Sequence, residues 1–102
     1  MSRILPDEIA KTLPPLYATE NVADPTVRVK FFTPDSSWTW YVTEFDPSRR
    51  LCFGFVVGLD HELGYFSLAE LEEVRGPLGL PIERDLSFKS CPLSECQHLH
   101  GS

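Results

Sequence analysis

Apolar and polar residues alternate along VRVKFF, with Val27, Val29 and Phe31 on one side and Arg28, Lys30 and Phe32 on the other. That period is the mark of a half-buried strand. TPDSS follows as turn chemistry: Pro34 presets φ and Asp35 can bond its own backbone. WTWYVTE then alternates again. A loop from Pro34 to Ser37 sets Thr33 opposite Trp38, Phe31 opposite Trp40, Val29 opposite Val42 and Lys30 opposite Tyr41. A one-residue slip would mix the two faces, so the pattern selects this register. It predicts Trp40 in the core and Trp38 half covered at the turn. Tyr41 falls on the outer face beside Lys30 and Phe32, together with Arg28, Thr39 and Thr43.

FDPSRR reads as a second turn and LCFGFVVG as a third, central strand. Leu51, Phe53, Phe55 and Val57 make its apolar face; Cys52, Gly54, Val56 and Gly58 make a small one. Glycine inside a strand marks close approach by a neighbour, and a ring such as Tyr41 or Phe32 could lie over Gly54. LDHELGYF predicts a turn at Asp60 to Glu62 and a short strand around Tyr65.

Two helices are legible. LPDEIAKTLPPLY predicts about two turns, with Pro6 at the first helical position, Asp7 and Glu8 on the positive end of the dipole, and Pro14 as the stop. SLAELEEVRGP is the clearest helix: Ser67 caps it with Glu70 as capping-box partner, and Leu68, Leu71 and Val74 share a face. Glu70, Glu72 and Glu73 face water, and Gly76 is the C-cap. Residues 18–26 read as a loop, Ile82–Phe88 as a last strand, and the end of the chain as a tail.

The chain has 102 residues, 42% of them hydrophobic and 24% charged, enough for one globular domain. Its net charge of −6 argues against a binder of duplex nucleic acid, which needs a clustered positive surface. The opening MSRILPDEIAKTL has early acids and no apolar run, so it does not read as a secretory leader. No stretch is apolar enough to span a membrane. Cys52, Cys91 and Cys96 form an odd set without framework spacing, which predicts free thiols in a cytoplasmic protein.

KFFTPDSSWTWYVTE and ELGYFSLAELEEVRGPLGLPIERD resemble a bacterial family known as domain of unknown function 2958. The resemblance covers roughly residues 4–95, nearly the whole chain. Members are typically carried on plasmids, integrative elements and phages. The resemblance implies an accessory protein of mobile DNA and no particular reaction. FDPSRR is shorter than the connection common in the family, and the residues beyond Glu95 do not look like a family feature.

Six clusters are candidate sites. Cys91, Cys96, His98 and His100 are zinc-ligand types, but they lack the paired spacing of zinc sites and read as a polar tail. Asp60, His61 and Glu62 offer a general base beside carboxylates; adjacent turn residues rarely converge, and a solvated turn explains them. Asp35 and Ser36 are explained by turn geometry. RGPLGLP follows a helix rather than preceding one, so it is not a phosphate cradle. The acidic face of Glu70, Glu72 and Glu73 is sparse for a DNA mimic.

The remaining cluster is the outer hairpin face, where aromatics and cations mix as they do at recognition surfaces. Arg28, Lys30, Phe32, Trp38, Thr39, Tyr41 and Thr43 are the expected binding residues.

The expected fold is α+β: a mostly antiparallel sheet of four to five strands with one clear helix and a short N-terminal helix packed on it. Residues 1–95 form the domain and 96–102 a flexible tail. The inner face is expected to hold Val29, Phe31, Trp40, Val42, Phe53, Phe55, Leu68 and Leu71. No catalytic constellation, metal site or cofactor is predicted. The expected function is a non-enzymatic interaction module of a mobile element, a monomer or homodimer. It would bind a host or element protein, with defence or DNA transfer as the process modulated. A binder of nucleotides or single-stranded nucleic acid, stacking on Tyr41, is the second reading, and a hydrolase using His61 the third.

Overall fold

A computed structural model describes residues 3–101. One turn of helix, α1 (Asp7–Ala10), precedes β1 (Thr26–Val27), β2 (Val29–Phe32), β3 (Thr39–Asp46), β4 (Leu51–Val57) and β5 (His61–Ser67). The helix α2 (Leu68–Glu73), the short strands β6 (Glu83–Arg84) and β7 (Cys91–Pro92), and the helix α3 (Leu93–Leu99) follow. The fold is α+β. Its main sheet is antiparallel in the order β5-β4-β3-β2-β6, and β1 pairs with β7 in a separate ribbon.

The hairpin register is the one the alternation selects: Val29 pairs with Val42, Lys30 with Tyr41 and Phe31 with Trp40. Thr33 closes the turn, its N–H donating to the Trp38 carbonyl at 3.1 Å. β4 is central, as its two-sided apolar run predicts.

Two departures in the strands change which residues share a face. The first is a break at Arg28. Val27 pairs with Cys91 in the ribbon while Val29 begins β2, so Val27 joins the opposite layer from Val29 and Phe31. The second is a β-bulge. β3 and β4 pair regularly up to Val42–Gly54 and resume at Glu44–Phe53, leaving Thr43 as the extra residue. A bulge shifts the in–out phase by one. Phe45 therefore turns inward, and Glu44, which strict alternation would bury beside Val42, turns to the other face.

The result is a sheet covered on both sides. One layer packs Val29, Phe31, Trp40, Val42, Phe45 and Cys52 against Leu5, Leu13, Leu68, Leu71 and Ile82. The other packs Val27, Tyr41, Phe55 and Val57 against Leu93 and Cys96 of α3. Phe55 was expected with Phe31 and Trp40 and lies instead on the Tyr41 face, as does Phe53, which meets Tyr65. The reason is the pairing itself: Tyr41 stands opposite Phe55, so the large residues of β4 share the face of Tyr41 and not that of Trp40.

The expected tail is α3. Pro92 precedes its first turn, and Leu93 and Cys96, three residues apart, form the buried side. α2 is capped as predicted, Ser67 Oγ accepting from the Glu70 N–H at 3.2 Å. It ends earlier, because Val74 is already extended, and Gly76 is not its cap. Gly76 is needed for another reason: a Cβ there would fall 1.6 Å from Asp35 Oδ1. Asp35 Oδ2 accepts from the N–H groups of Leu78 and Leu80, so it ties the hairpin turn to the loop after α2. Glu72, expected in water, accepts from Arg3 N–H and pairs with Arg50. α1 is one turn rather than two, and the strand expected over Ile82–Phe88 is only Glu83–Arg84.

Gly54 has the close neighbour its position predicts, but it is backbone rather than a ring. A Cβ there would lie 1.8 Å from the Tyr41 carbonyl oxygen. The ring-covered glycine is Gly58, against Trp38.

Candidate functional site

The predicted binding residues do not form one exposed surface. Tyr41 is 2% exposed. Its hydroxyl meets His100 Nε2 at 2.7 Å, and its ring lies beside Phe55 and Phe88. Burial, with Cys96 behind it, pushes the Tyr41 phenol up to about 12. Thr39 and Thr43 are buried as well, and Thr43 Oγ1 donates to the Phe53 carbonyl. Lys30 is half-buried, paired with Asp85 at 3.4 Å. Phe32 is half-buried and Arg28 exposed. Trp38, half covered as expected, stacks on Trp40 and so lies on the opposite face from Tyr41. The outer hairpin face is thus a second core, closed by α3 and the β1–β7 ribbon.

His61 is exposed and begins β5, its ring edge-on to Phe55 and 5.9 Å from His100. The described residues contain no group of three or more His, Cys, Asp or Glu placed to hold a metal ion. No described helix is long and apolar enough to cross a membrane.

Exposed apolar side chains gather elsewhere. Tyr17, Val22, Leu63 and Tyr65 are each about half exposed, at 55%, 50%, 49% and 51%. All four line one groove of about 310 Å³, with Phe53 in its floor and Leu93 at its α3 end. The wall is the loop before β1, and Glu44 holds it there. Glu44 is 3% exposed, and its carboxylate accepts from the N–H groups of Tyr17 at 2.8 Å and Thr19 at 2.9 Å, and from the Thr19 hydroxyl. The bulge at Thr43 is what aims Glu44 at that loop. Tyr17 sits at φ 72°, a backbone region that L residues other than Gly visit rarely. Its ring meets Tyr65 edge-on at 6.5 Å. Desolvation and the Tyr17 hydroxyl hold Tyr65 above the ordinary phenol value, and the charges of Glu44 and Glu20 add to this. The groove is therefore aromatic with a negative rim.

It borders the open edge of the sheet. β5 has seven residues and pairs on one side only among the described residues, with β4. Edge strands present alternate N–H and C=O groups outward. A second cleft, of about 340 Å³, lies across the sheet between Trp38, Trp40, Val74 and Pro77, away from that edge.

Sequence reasoning missed the groove because its parts come from five separated segments: the loop before β1, β3, β4, β5 and α3. One signal was present. The apolar phase of WTWYVTEF moves from even positions through Val42 to odd at Phe45, and that shift marks the bulge beside Glu44.

The arrangement defines a class: a small α+β protein with a double-covered antiparallel sheet and an apolar groove beside an open edge. No curated protein and no solved structure matches the chain significantly. The sequence matches the family described as protein of unknown function (DUF2958) over residues 4–99, and the chain belongs to that family.

Proposed function

We propose that this chain is a non-enzymatic interaction module that binds an extended segment of another protein along β5. The observation that carries it is the gathering of Tyr17, Val22, Leu63 and Tyr65 beside an unpaired seven-residue strand. Strand addition supplies main-chain hydrogen bonds, and pockets for alternate side chains supply selectivity. Leu63 and Tyr65 point to the groove side of β5, so every second residue of the guest would enter it. The exposed Glu20 at the rim and the net charge of −6 favour a guest with basic residues between apolar ones. A guest lysine or arginine would also find the faces of Tyr17 and Tyr65. The resemblance to a family carried on mobile DNA supports a host or element protein as the source of that segment.

The test is a titration followed by amide NMR shifts, using a synthetic peptide of alternating valine and lysine as long as β5. A valine–glutamate peptide is the control. Binding of the lysine peptide alone, with shifts at 61–67 and 17–22, is expected. Leu63→Arg should weaken it about 3- to 10-fold, since roughly half the burial free energy of a leucine is at stake. Shifts centred on Trp38 and Val74 would move the site to the second cleft and overturn the reading.

A further inference from the structure

The Cys91 and Cys96 thiols meet under α3 with Sγ to Sγ at 3.4 Å, the contact of a thiol–thiol hydrogen bond. The local sequence brings them together. β7 ends at Pro92, the chain turns at once into α3, and Cys96 sits one turn in on the buried side with Leu93. Cys91 is half-buried and reachable; Cys96 is fully buried against Tyr41 and Val57. The third cysteine, Cys52, lies in the other core layer across the sheet.

We propose that Cys91 and Cys96 are a redox site, a dithiol that closes to an intramolecular disulfide by exchange with a small-molecule disulfide and staples α3 to β7. The Cys91 thiolate attacks one sulfur of glutathione disulfide. A Cys91–glutathione bond forms, and the first glutathione leaves as thiolate. The Cys96 thiol gives its proton to solvent base, and its sulfur attacks Cys91 Sγ. That step forms the Cys91–Cys96 bond, breaks the Cys91–glutathione bond and releases the second glutathione. Two electrons pass from the protein to glutathione disulfide, and the two protons end on two glutathione thiols.

Burial holds both thiols above the ordinary thiol value, Cys96 at about 12. Attack is therefore slow near neutrality. A thiol of high pKa is also a poor leaving group, so the closed disulfide resists reduction. Burial of Cys96 limits access to that sulfur by external thiols. The staple acts on a helix that covers Tyr41 and whose Leu93 ends the groove, while Asp24 binds Ser94 at the same corner.

The experiment incubates the full chain in glutathione buffers from reducing to oxidising, then alkylates under denaturing conditions and reads the intact mass. The expected product has lost two hydrogens, carries one alkyl group at Cys52, and reverts with dithiothreitol. Its thermal midpoint should rise by about 10 °C, the scale expected for closing a short loop. Cys52→Ala should oxidise like wild type, and Cys91→Ser should not form the bond. Three alkylated thiols in the most oxidising buffer would overturn the proposal. So would a stable glutathione adduct at Cys91, or loss of two hydrogens in Cys91→Ser.

Discussion

Glu44→Ala is the sharpest test of how the groove is built. The carboxylate is buried and accepts two backbone N–H groups and the Thr19 hydroxyl. A hydrogen bond to a charged group contributes about 1.5–3 kcal/mol, and a buried donor left without a partner costs about 1–3 kcal/mol. Water reaches the loop, since Tyr17 and Ala18 are exposed, so the lower end of each range applies. Removing the charge also relieves its desolvation. The net loss should be about 2 kcal/mol, a large part of the roughly 5–15 kcal/mol that holds a domain of this size. In urea the midpoint should fall by about 1–2 M with an unchanged slope, and the thermal midpoint by roughly 10 °C. Hydrogen exchange adds the local signature: the Tyr17 and Thr19 amides should lose protection before the β3–β4 ladder does. Glu44→Gln keeps the shape and one acceptor oxygen, and should lose about half as much. A change in stability below about 0.5 kcal/mol for Glu44→Ala would refute the claim that this side chain fastens the groove wall.

Gly54→Ala should be among the most damaging single changes in the chain. Its Cβ would fall 1.8 Å from the Tyr41 carbonyl oxygen, a backbone atom that cannot move without opening the β3–β4 ladder. Loss of more than about 3 kcal/mol, or no folded product by circular dichroism, is expected; wild-type stability would show that the strands part freely there. Acid should loosen the α3 side. Burial first, then the charges of His61 and Lys30, hold His100 below its ordinary pKa of 6.5. The unfolded chain therefore takes up this proton first as pH falls. The stabilising effect of neutral His100 is whole above 6.5 and is lost as pH drops from there through the lower folded value. Between about pH 7.5 and about pH 5.5 the urea midpoint of wild type should drop further than that of His100→Gln, and equal drops would contradict it.

The hairpin, its register and the capped start of α2 were legible because each rests on neighbours in sequence. Alternation fixes which residues of 29–32 and 39–42 can face each other, and Ser67 with Glu70 marks a helix start unaided. Failures began where the strand period breaks. Arg28 and Thr43 each shift the phase by one, and no turn residue announces either break. The end of α2 was misplaced for a related reason: Gly76 satisfies the rule for a helix cap, yet it is spent on close approach to Asp35, more than thirty residues away.

Covering the second face has the larger consequence for function. A hairpin with one solvated side would offer Lys30, Phe32 and Tyr41 as a recognition surface. In this fold α3 and the ribbon take that side for a second core, and Tyr41 becomes a structural residue whose hydroxyl is held by His100. What covers a sheet face cannot be read from the strand that is covered. It was readable only in the tail, where Leu93 and Cys96 make a short apolar stripe. The α3 cover ends at Leu93, short of the outer part of β5, and that is why Leu63 and Tyr65 remain half exposed there. The groove is thus the portion of the second sheet face that α3 and the ribbon leave open. That links the two proposals physically. A staple at Cys91 and Cys96 fixes one end of the groove, and Glu44 fixes its wall, so the same cavity can be loosened at either end by a defined single substitution.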